Sequence, residues 1–124
     1  MPLYGAINDK QIRTTARQRR AHAKLTEIHL KATAQVIAEA IARSHAQLRE
    51  RGMMIAIADA GRQAAREGLE LSIGRRDLGI ARAFEVIDAA EALDRAEREH
   101  AHAIIDYNRA QVEALAAQGR LNTP

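Results

Sequence analysis

The hydrophobic positions of this chain recur with the spacing of helices that pack against one another. In the first half of the chain, apolar or small side chains follow at alternating intervals of about four and three residues, with a few polar interruptions. These positions are Leu30, Ala34, Ile37, Ile41, Ser44, Leu48, Arg51, Ile55, Ala58, Arg62, Ala65 and Leu69. Such spacing is typical of a coiled-coil stripe. A second stripe beside it, Leu25, Ile28, Ala32 and Val36, widens the apolar face, and a face of that width needs more than one partner.

Two long proline-free segments carry these patterns and predict two helices. The first covers about residues 8–73 and the second about residues 82–118, and both are rich in good helix formers. The apolar side of the second helix, interrupted by Glu97 and His100, consists of Val86, Ala90, Leu93, Ile104, Tyr107 and Leu115. Between the helices, at about residues 74–81, Gly74 and Gly79 can take the left-handed conformation that ends a helix. The sequence therefore predicts one all-α domain over residues 1–124, a long antiparallel coiled-coil hairpin that self-associates into a helical bundle.

The ends of the helices are predicted from proline, glycine and capping residues. Residues 1–6, Met-Pro-Leu-Tyr-Gly-Ala, suit the end of an extended segment, and Asn8 or Asp9 can cap the helix that follows. Gly119 is expected just past the last turn, with a tail from Leu121 to Pro124. Gly52, before two methionines, is the expected place of any break in the first helix. A continuous first helix of about 66 residues exceeds its partner, so the Leu25 to Ile41 region needs cover from outside the hairpin.

Composition narrows the picture further. Hydrophobic residues make up 47% of the chain but aromatic residues only 2%, which favours a narrow seam between helices over a globular core. The net charge is +3 and there is no cysteine, so charge alone gives little support to nucleic-acid binding and no disulfide or cysteine metal site is expected. Neither an export signal nor a membrane-spanning run is visible, and the chain itself is expected to be soluble.

A basic patch in the first helix has two open interpretations. Its members are Arg13, Arg17, Arg19, Arg20 and Lys24. They form either a solvated helix face or a site for phosphate or another anionic surface. No aromatic residue is interleaved with them, so stacking on single-stranded bases has no support.

Neither the histidines nor the carboxylates predict a catalytic or metal site. His22 and His29 are two helical turns apart, while His100 and His102 point to different sides of their helix. Carboxylates such as Asp94 are matched by nearby arginines as helix-surface charges. We therefore expect neither an enzyme, nor a cofactor, nor a metal site.

A set of landmarks in the second half of the chain resembles a known family. The landmarks are Arg75-Arg76-Asp77-Leu78-Gly79-Ile80, Phe84-Glu85-Val86-Ile87-Asp88-Ala89, Leu93, Tyr107-Asn108, Ala110-Gln111, Leu115 and Gly119. In this order they resemble the last periplasmic coiled-coil hairpin of TolC-like outer-membrane efflux proteins. Met1-Pro2-Leu3-Tyr4-Gly5 also resembles the end of the strand that leads into the long helix of that family, so the resemblance runs from about residue 2 to residue 121. No single motif is highly specific; the ordered set carries the resemblance.

The resemblance implies a function without catalysis. Members are trimers whose strands form an outer-membrane barrel and whose helices form a periplasmic tunnel for type I secretion, multidrug or metal efflux. The chain resembles only the helical part of the second repeat, which implies a fragment of a larger channel. By position, Leu78, Gly79 and Ile80 are the turn that docks onto a periplasmic adaptor, which in turn works with an inner-membrane transporter. The polar neighbours implied in gating are Arg75, Arg76, Asp77 and Arg82, although Arg76 replaces a common aromatic and Arg82 is displaced by one position.

Two other functions compete with this expectation. One is a free-standing cytoplasmic interaction module, a dimer forming a four-helix bundle, in which a break at Gly52 gives a compact three-helix subunit. The other is a basic nucleic-acid-associated helical protein that uses the patch from Arg13 to Lys24, although the leading interpretation implies no nucleic acid.

Overall fold

The structure, a computed structural model, describes residues 2–119 and consists there of two helices. Helix α1 is Pro2–Asp77 and helix α2 is Ala83–Gly119. The helices pack against each other and residues 2–119 contain no strand, so the predicted all-α helical hairpin is confirmed. The chain divides into two units, Met1–Glu39 and Ala40–Pro124, and the hairpin lies in the second. Met1 and the predicted tail from Leu121 to Pro124 lie outside the described residues.

The contribution of α1 to the hairpin seam follows the predicted stripe. The partly or fully covered positions are Ile41, Ser44, Leu48, Gly52, Ile55, Ala58, Asp59, Arg62, Ala65, Leu69 and Ser72. Arg51, which the pattern placed on the stripe, is exposed, and the adjacent Gly52 takes its place in the seam. Residues at these intervals lie on one face of a helix. The isoleucines and leucines among them therefore form the inner face of α1.

The contribution of α2 differs from the predicted apolar side. Its covered positions are Val86, Ala89, Leu93, Ala96, His100, Ala103, Asp106, Tyr107, Ala110, Ala114 and Ala117. Of the apolar positions expected there, Ala90, Ile104 and Leu115 are exposed. Ala110 and Ala114 are the most covered hydrophobic residues, each 6% exposed. The prediction was wrong at these positions because small side chains let two helix backbones approach closely, which leaves larger side chains outside.

Ion pairs across the seam define its register. The ion pairs are Arg51 with Asp106 at 3.5 Å, Arg66 with Glu97 at 3.7 Å, and Arg75 with Glu85 at 3.9 Å, and Nε2 of His100 lies 3.9 Å from Oδ1 of Asp59 in the same register. The two members of each pair lie at similar sequence distances from Gly79, so the helices run antiparallel and the chain reverses there. Most of these side chains are about half exposed, and each such pair contributes less than about 1 kcal/mol. The pairs therefore specify alignment more than stability.

Helix α1 begins earlier than expected and continues through Gly52. The predicted extended segment over residues 1–6 is corrected, because α1 starts at Pro2. Proline is well tolerated at the first helical position, where its missing N–H would have no intrahelical partner. Adding a residue to an existing helix also gains a hydrogen bond that an extended end would make only to water. Consequently Asn8 and Asp9 do not cap the helix; Asp9 instead forms an exposed ion pair with Arg13 at 3.6 Å.

The ring of Tyr107 lies against α1 at Gly52. A Cβ built on Gly52 would lie 3.5 Å from Cε2 of Tyr107, an ordinary van der Waals contact. The half-buried Tyr107 ring of α2 therefore packs directly on the backbone of α1 at this position. At the other end of α2, Gly119 is the last helical residue instead of the first residue beyond it.

Residues 4–36 of helix α1, which belong to the first unit, are all exposed. The stripe formed by Leu25, Ile28, Ala32 and Val36 is exposed, and so are Leu30 and Ala34. No described helix has a stretch both long enough and apolar enough to cross a membrane.

Candidate docking site at the hairpin tip

The hairpin tip is built on a glycine-terminated helix end. Gly79 has φ of +72°, the one positive φ among residues 2–119. Its N–H donates to the carbonyl oxygen of Arg76 at 2.9 Å, and the N–H of Ile80 donates to the carbonyl oxygen of Arg75 at 2.8 Å. These two bonds form a Schellman motif, which satisfies carbonyl groups that the end of a helix otherwise leaves unpaired. Glycine is favoured here because other L-residues adopt a left-handed conformation at a cost of about 1–2 kcal/mol.

The turn presents apolar side chains to solvent. Leu78 is 76% exposed, Ile80 is 65% exposed and Phe84 is 75% exposed. In many Schellman motifs, the residue after the glycine packs on the last helical turn. The residues available there are Arg75 and Gly74, which offer little apolar surface. Ile80 therefore remains outside the fold, available to another surface.

Helix α2 starts immediately beyond the turn without a conventional side-chain cap. The residue before it is Arg82, which has no side-chain oxygen to accept from the first-turn N–H groups. Its carbonyl oxygen accepts from the N–H of Glu85 at 3.1 Å. The Glu85 carboxylate lies in the first turn, where the helix dipole favours negative charge. The same carboxylate pairs with Arg75, which makes this ion pair the link across the hairpin nearest the tip.

The four polar residues implied in gating do not form one network. Arg75 pairs with Glu85, whereas Arg76 hydrogen-bonds to its neighbour Asp77, with Nη2 donating to Oδ1 at 3.0 Å. Arg82 forms no ion pair among residues 2–119. The structure thus places all four around Leu78, Gly79 and Ile80, but connects them only in two separate, half-exposed pairs.

Sequence reasoning missed a polar layer in the middle of the seam. Nη2 of Arg62 donates to Oδ1 of Asp59 at 2.6 Å, and Nε2 of Gln63 donates to Oδ2 of the same carboxylate at 3.1 Å. His100 approaches this carboxylate from α2. In the hydrophobic pattern Arg62 and His100 counted only as interruptions. However, Asp59 lies one helical turn before Arg62, and an antiparallel pairing about Gly79 places His100 opposite Asp59. The sequence therefore did contain a signal for this polar layer. Polar groups at coiled-coil core positions are known to fix register, which is the role that this geometry suits best.

Nε of Arg62 in this layer is buried and has no hydrogen-bond partner among the described residues. The polar layer is therefore only partly satisfied, which reduces its contribution to stability. Residues 2–119 contain no group of three or more His, Cys, Asp or Glu side chains that could hold a metal ion.

Searches found no protein family, curated protein or solved structure that matches this chain.

Proposed function

We propose that the hairpin is a protein-docking element without catalytic activity, and that its tip is the contact surface. The exposure of Leu78, Ile80 and Phe84 on a turn closed by backbone hydrogen bonds supports this proposal most strongly. Apolar side chains held on a rigid support lose little conformational freedom on binding, which favours their use as anchors. Gly79 lets a partner backbone approach closely between them.

The size of the tip sets the strength of one contact. Burial of a leucine, isoleucine or phenylalanine side chain contributes about 1.5–3 kcal/mol. Three such side chains together contribute about 4.5–9 kcal/mol. This only roughly balances the cost of bringing two proteins together, which is about 4–15 kcal/mol. A single tip is therefore a weak site. Several tips held side by side would bind far more tightly through avidity, so the tip suits an oligomer that presents multiple copies.

The proposed assembly is the periplasmic tunnel of a TolC-like efflux channel. In this proposal the tip binds a helical hairpin of a periplasmic adaptor, and the parent protein is an outer-membrane trimer coupled to an inner-membrane transporter. The order of landmarks from Arg75 to Gly119 supports it. The resemblance of residues 1–5 to the end of a strand does not, since residues from Pro2 onward are helical.

Opening of the tunnel would depend on weak contacts at the tip. The ion pair of Arg75 with Glu85 and that of Arg76 with Asp77 join half-exposed groups, so little free energy resists their separation. Arg82 has no competing ion pair among the described residues and can contact a carboxylate of a partner. Adaptor binding would favour the open state by forming contacts that the closed state lacks.

Site-specific photo-crosslinking in bacterial cells that produce the chain within its parent protein tests this proposal. A photoreactive residue replaces Ile80 in one variant and Ala101, an exposed position in the middle of α2, in the control. We expect crosslinks at position 80 to a periplasmic adaptor and none at position 101. The Leu78→Ser/Ile80→Ser variant should lose both this crosslinking and dye efflux. Normal efflux in that variant, or equal crosslinking at both positions, would contradict docking by the tip.

A free-standing bundle-forming module is the second candidate function. The exposed stripe of Leu25, Ile28, Ala32 and Val36 favours it, because exposed apolar faces of this kind mark surfaces that another helix covers.

A further inference from the structure

Charge is divided between the two helices in the same sense along the hairpin seam. In each arginine–carboxylate pair that the described residues form across the seam, α1 supplies the arginine and α2 supplies the carboxylate. These pairs are Arg51 with Asp106, Arg66 with Glu97, and Arg75 with Glu85. Ion pairs that flank the seam of a coiled coil set the choice of partner helix. Where α1 has a helical partner, that partner is therefore an acidic one.

The apolar face of α1 continues at the same intervals through the first unit. Its members there, which we call the N-terminal stripe, are Ile12, Ala16, Ala23, Leu30 and Ala34. Intervals of four and seven residues keep them on the helix face that carries Ile41 of the seam. All five are exposed, including Ile12 at 59% and Leu30 at 68%. The same kind of face therefore has no cover here among the described residues.

A basic ribbon flanks the N-terminal stripe. Its members are Lys10, Arg13, Arg17, Arg20 and Lys24, and all five are exposed. Intervals of three and four residues place them on one face over about 21 Å. At about 100° per residue, that face lies roughly 100° from the N-terminal stripe. The ribbon thus occupies the flank from which coiled-coil helices form their interhelical ion pairs.

The first unit does not supply carboxylates for this ribbon. Residues 4–39 contain seven Lys or Arg and three Asp or Glu, a net charge of +4. Asp9 pairs with Arg13, and no acidic residue occurs from residue 10 to residue 26. The other four cations of the ribbon have no ion pair among the described residues. Their counter-charges have to come from a different molecule.

We propose that the N-terminal stripe and the basic ribbon together bind an acidic amphipathic helix of another protein. Apolar side chains of that helix cover Ile12 and Leu30, and its carboxylates pair with the ribbon. Arg19 lies on the stripe itself and pairs with a further carboxylate, because an unpaired charge in an apolar contact is costly. The surface does not include the tip, so this proposal and docking by the tip fail independently.

A second copy of the chain is a poorer partner for this surface. Pairing of two first units would bring like charges together. The inner face of α2 is already packed on α1, and its outward face carries charges of both signs, since Arg95 and Arg98 follow Asp88 and Glu91 by one heptad. Neither unit therefore offers a continuous acidic face with free apolar side chains.

Phosphate-bearing partners would use only part of the surface. Duplex nucleic acid would neutralise the ribbon but leave the N-terminal stripe exposed. A helix that lies in a membrane interface gathers its apolar side chains on one side, away from its cations. Here the ribbon lies between two apolar faces, because Leu25 and Val36 are on its other border. A partner helix needs only one narrow stripe and the flank beside it.

Binding of designed peptides to the full chain tests the proposal. The probe, called the glutamate peptide, is a fluorescein-labelled helix of about four heptads with leucine at its seam positions and glutamate at its flanking positions. A lysine peptide replaces each glutamate, and a serine peptide replaces each leucine. Fluorescence anisotropy at low salt gives the dissociation constants, and circular dichroism verifies that each variant of the chain remains helical.

The charge of the ribbon is tested by Arg17→Glu/Arg20→Glu. Arg43→Glu/Arg49→Glu is the matched control, because both arginines are exposed and lie outside the ribbon and the N-terminal stripe. We expect the glutamate peptide to bind wild type and control alike, and the ribbon variant roughly tenfold or more weakly, because attractive contacts become repulsive. The lysine peptide should bind wild type more weakly than the glutamate peptide by a similar factor.

The apolar contact is tested by Leu30→Ser. Leu71→Ser is the matched control, because Leu71 is 65% exposed, close to the 68% of Leu30, and lies outside both surfaces. Leu30→Ser should weaken binding of the glutamate peptide about tenfold through the loss of apolar burial, whereas Leu71→Ser should leave it unchanged. The serine peptide should bind wild type weakly for the same reason.

Three results would overturn the proposal. They are no binding of the glutamate peptide, equal binding of the lysine peptide, and a variant of the ribbon or of the stripe that binds like its control. Tighter binding to duplex DNA or to phosphatidylglycerol vesicles than to the glutamate peptide, lost in Arg17→Glu/Arg20→Glu and retained in Leu30→Ser, would instead assign the ribbon to a phosphate anion.

Discussion

Substitution of alanine for glycine should have opposite effects at two positions of the hairpin. Gly79 has φ of +72°, and a Cβ added there meets nothing within 4 Å. The cost of Gly79→Ala is therefore backbone strain alone, about 1–2 kcal/mol. Gly68 lies inside α1, and a Cβ added there also meets nothing within 4 Å. Gly68→Ala should stabilise by about 1 kcal/mol through helix propensity, so the same chemical change separates the two variants by about 2–3 kcal/mol.

Urea unfolding followed by circular dichroism measures this separation. Salt of about 0.5 M reduces the Debye length to roughly 4 Å, which limits any electrostatic self-association. With a slope of about 2 kcal/mol/M, we expect the two midpoints to differ by about 1 M, with wild type between them. Gly79→Asn should destabilise less than Gly79→Ala, because asparagine tolerates the left-handed conformation better. If both alanine variants shift the midpoint in the same direction, the assignment of the turn to Gly79 is wrong.

Further substitutions test the seam by the same unfolding measurement. Ala110→Leu should destabilise by about 1–3 kcal/mol because its site is closely packed, whereas Ala101→Leu on the exposed side should be nearly neutral; equal effects would contradict the alanine seam. Asp59→Ala should destabilise by about 1–3 kcal/mol because it leaves the guanidinium of Arg62 without its acceptor, and an unchanged midpoint would remove the polar layer from the account. Arg75→Ala should cost less than about 1 kcal/mol, since its ion pair is half exposed; a larger loss would show that the tip is more firmly closed than we infer.

The inner face of α1 could be predicted from the sequence, but that of α2 could not. In α1, large apolar side chains such as Ile41 and Ile55 occur at the seam intervals, so hydrophobicity and packing agree. In α2, the seam is mostly alanine, while Ile104 and Leu115 are exposed. A pattern that weights large side chains selects the wrong residues wherever close helix approach favours small ones.

The tip and the N-terminal end show the same limit of local signals. Both Gly74 and Gly79 could have formed the turn, but only Gly79 has the positive φ, and Gly74 continues α1. Proline and glycine in residues 1–6 suggested an extended segment, yet a proline at the first helical position and one helical glycine cost less than leaving the helix. Leu78 and Ile80 are exposed because the last turn of α1 next to them, with Gly74 and Arg75, offers little apolar surface. Sequence alone could predict that these residues lie at the tip but not what would cover them.

The contact between Gly52 and Tyr107 tests the antiparallel register most directly. A nuclear Overhauser effect between the α protons of Gly52 and the ring protons of Tyr107 can be measured without any substitution. It reports which residues of α1 and α2 lie opposite each other in the hairpin. Isotope-filtered spectra of mixed labelled and unlabelled chains distinguish contacts within one chain from contacts between copies. We predict a strong effect within one chain. Its absence, or an effect from the Tyr107 ring to residues one heptad away such as His45 or Asp59, would contradict the register and with it the placement of the tip at Gly79.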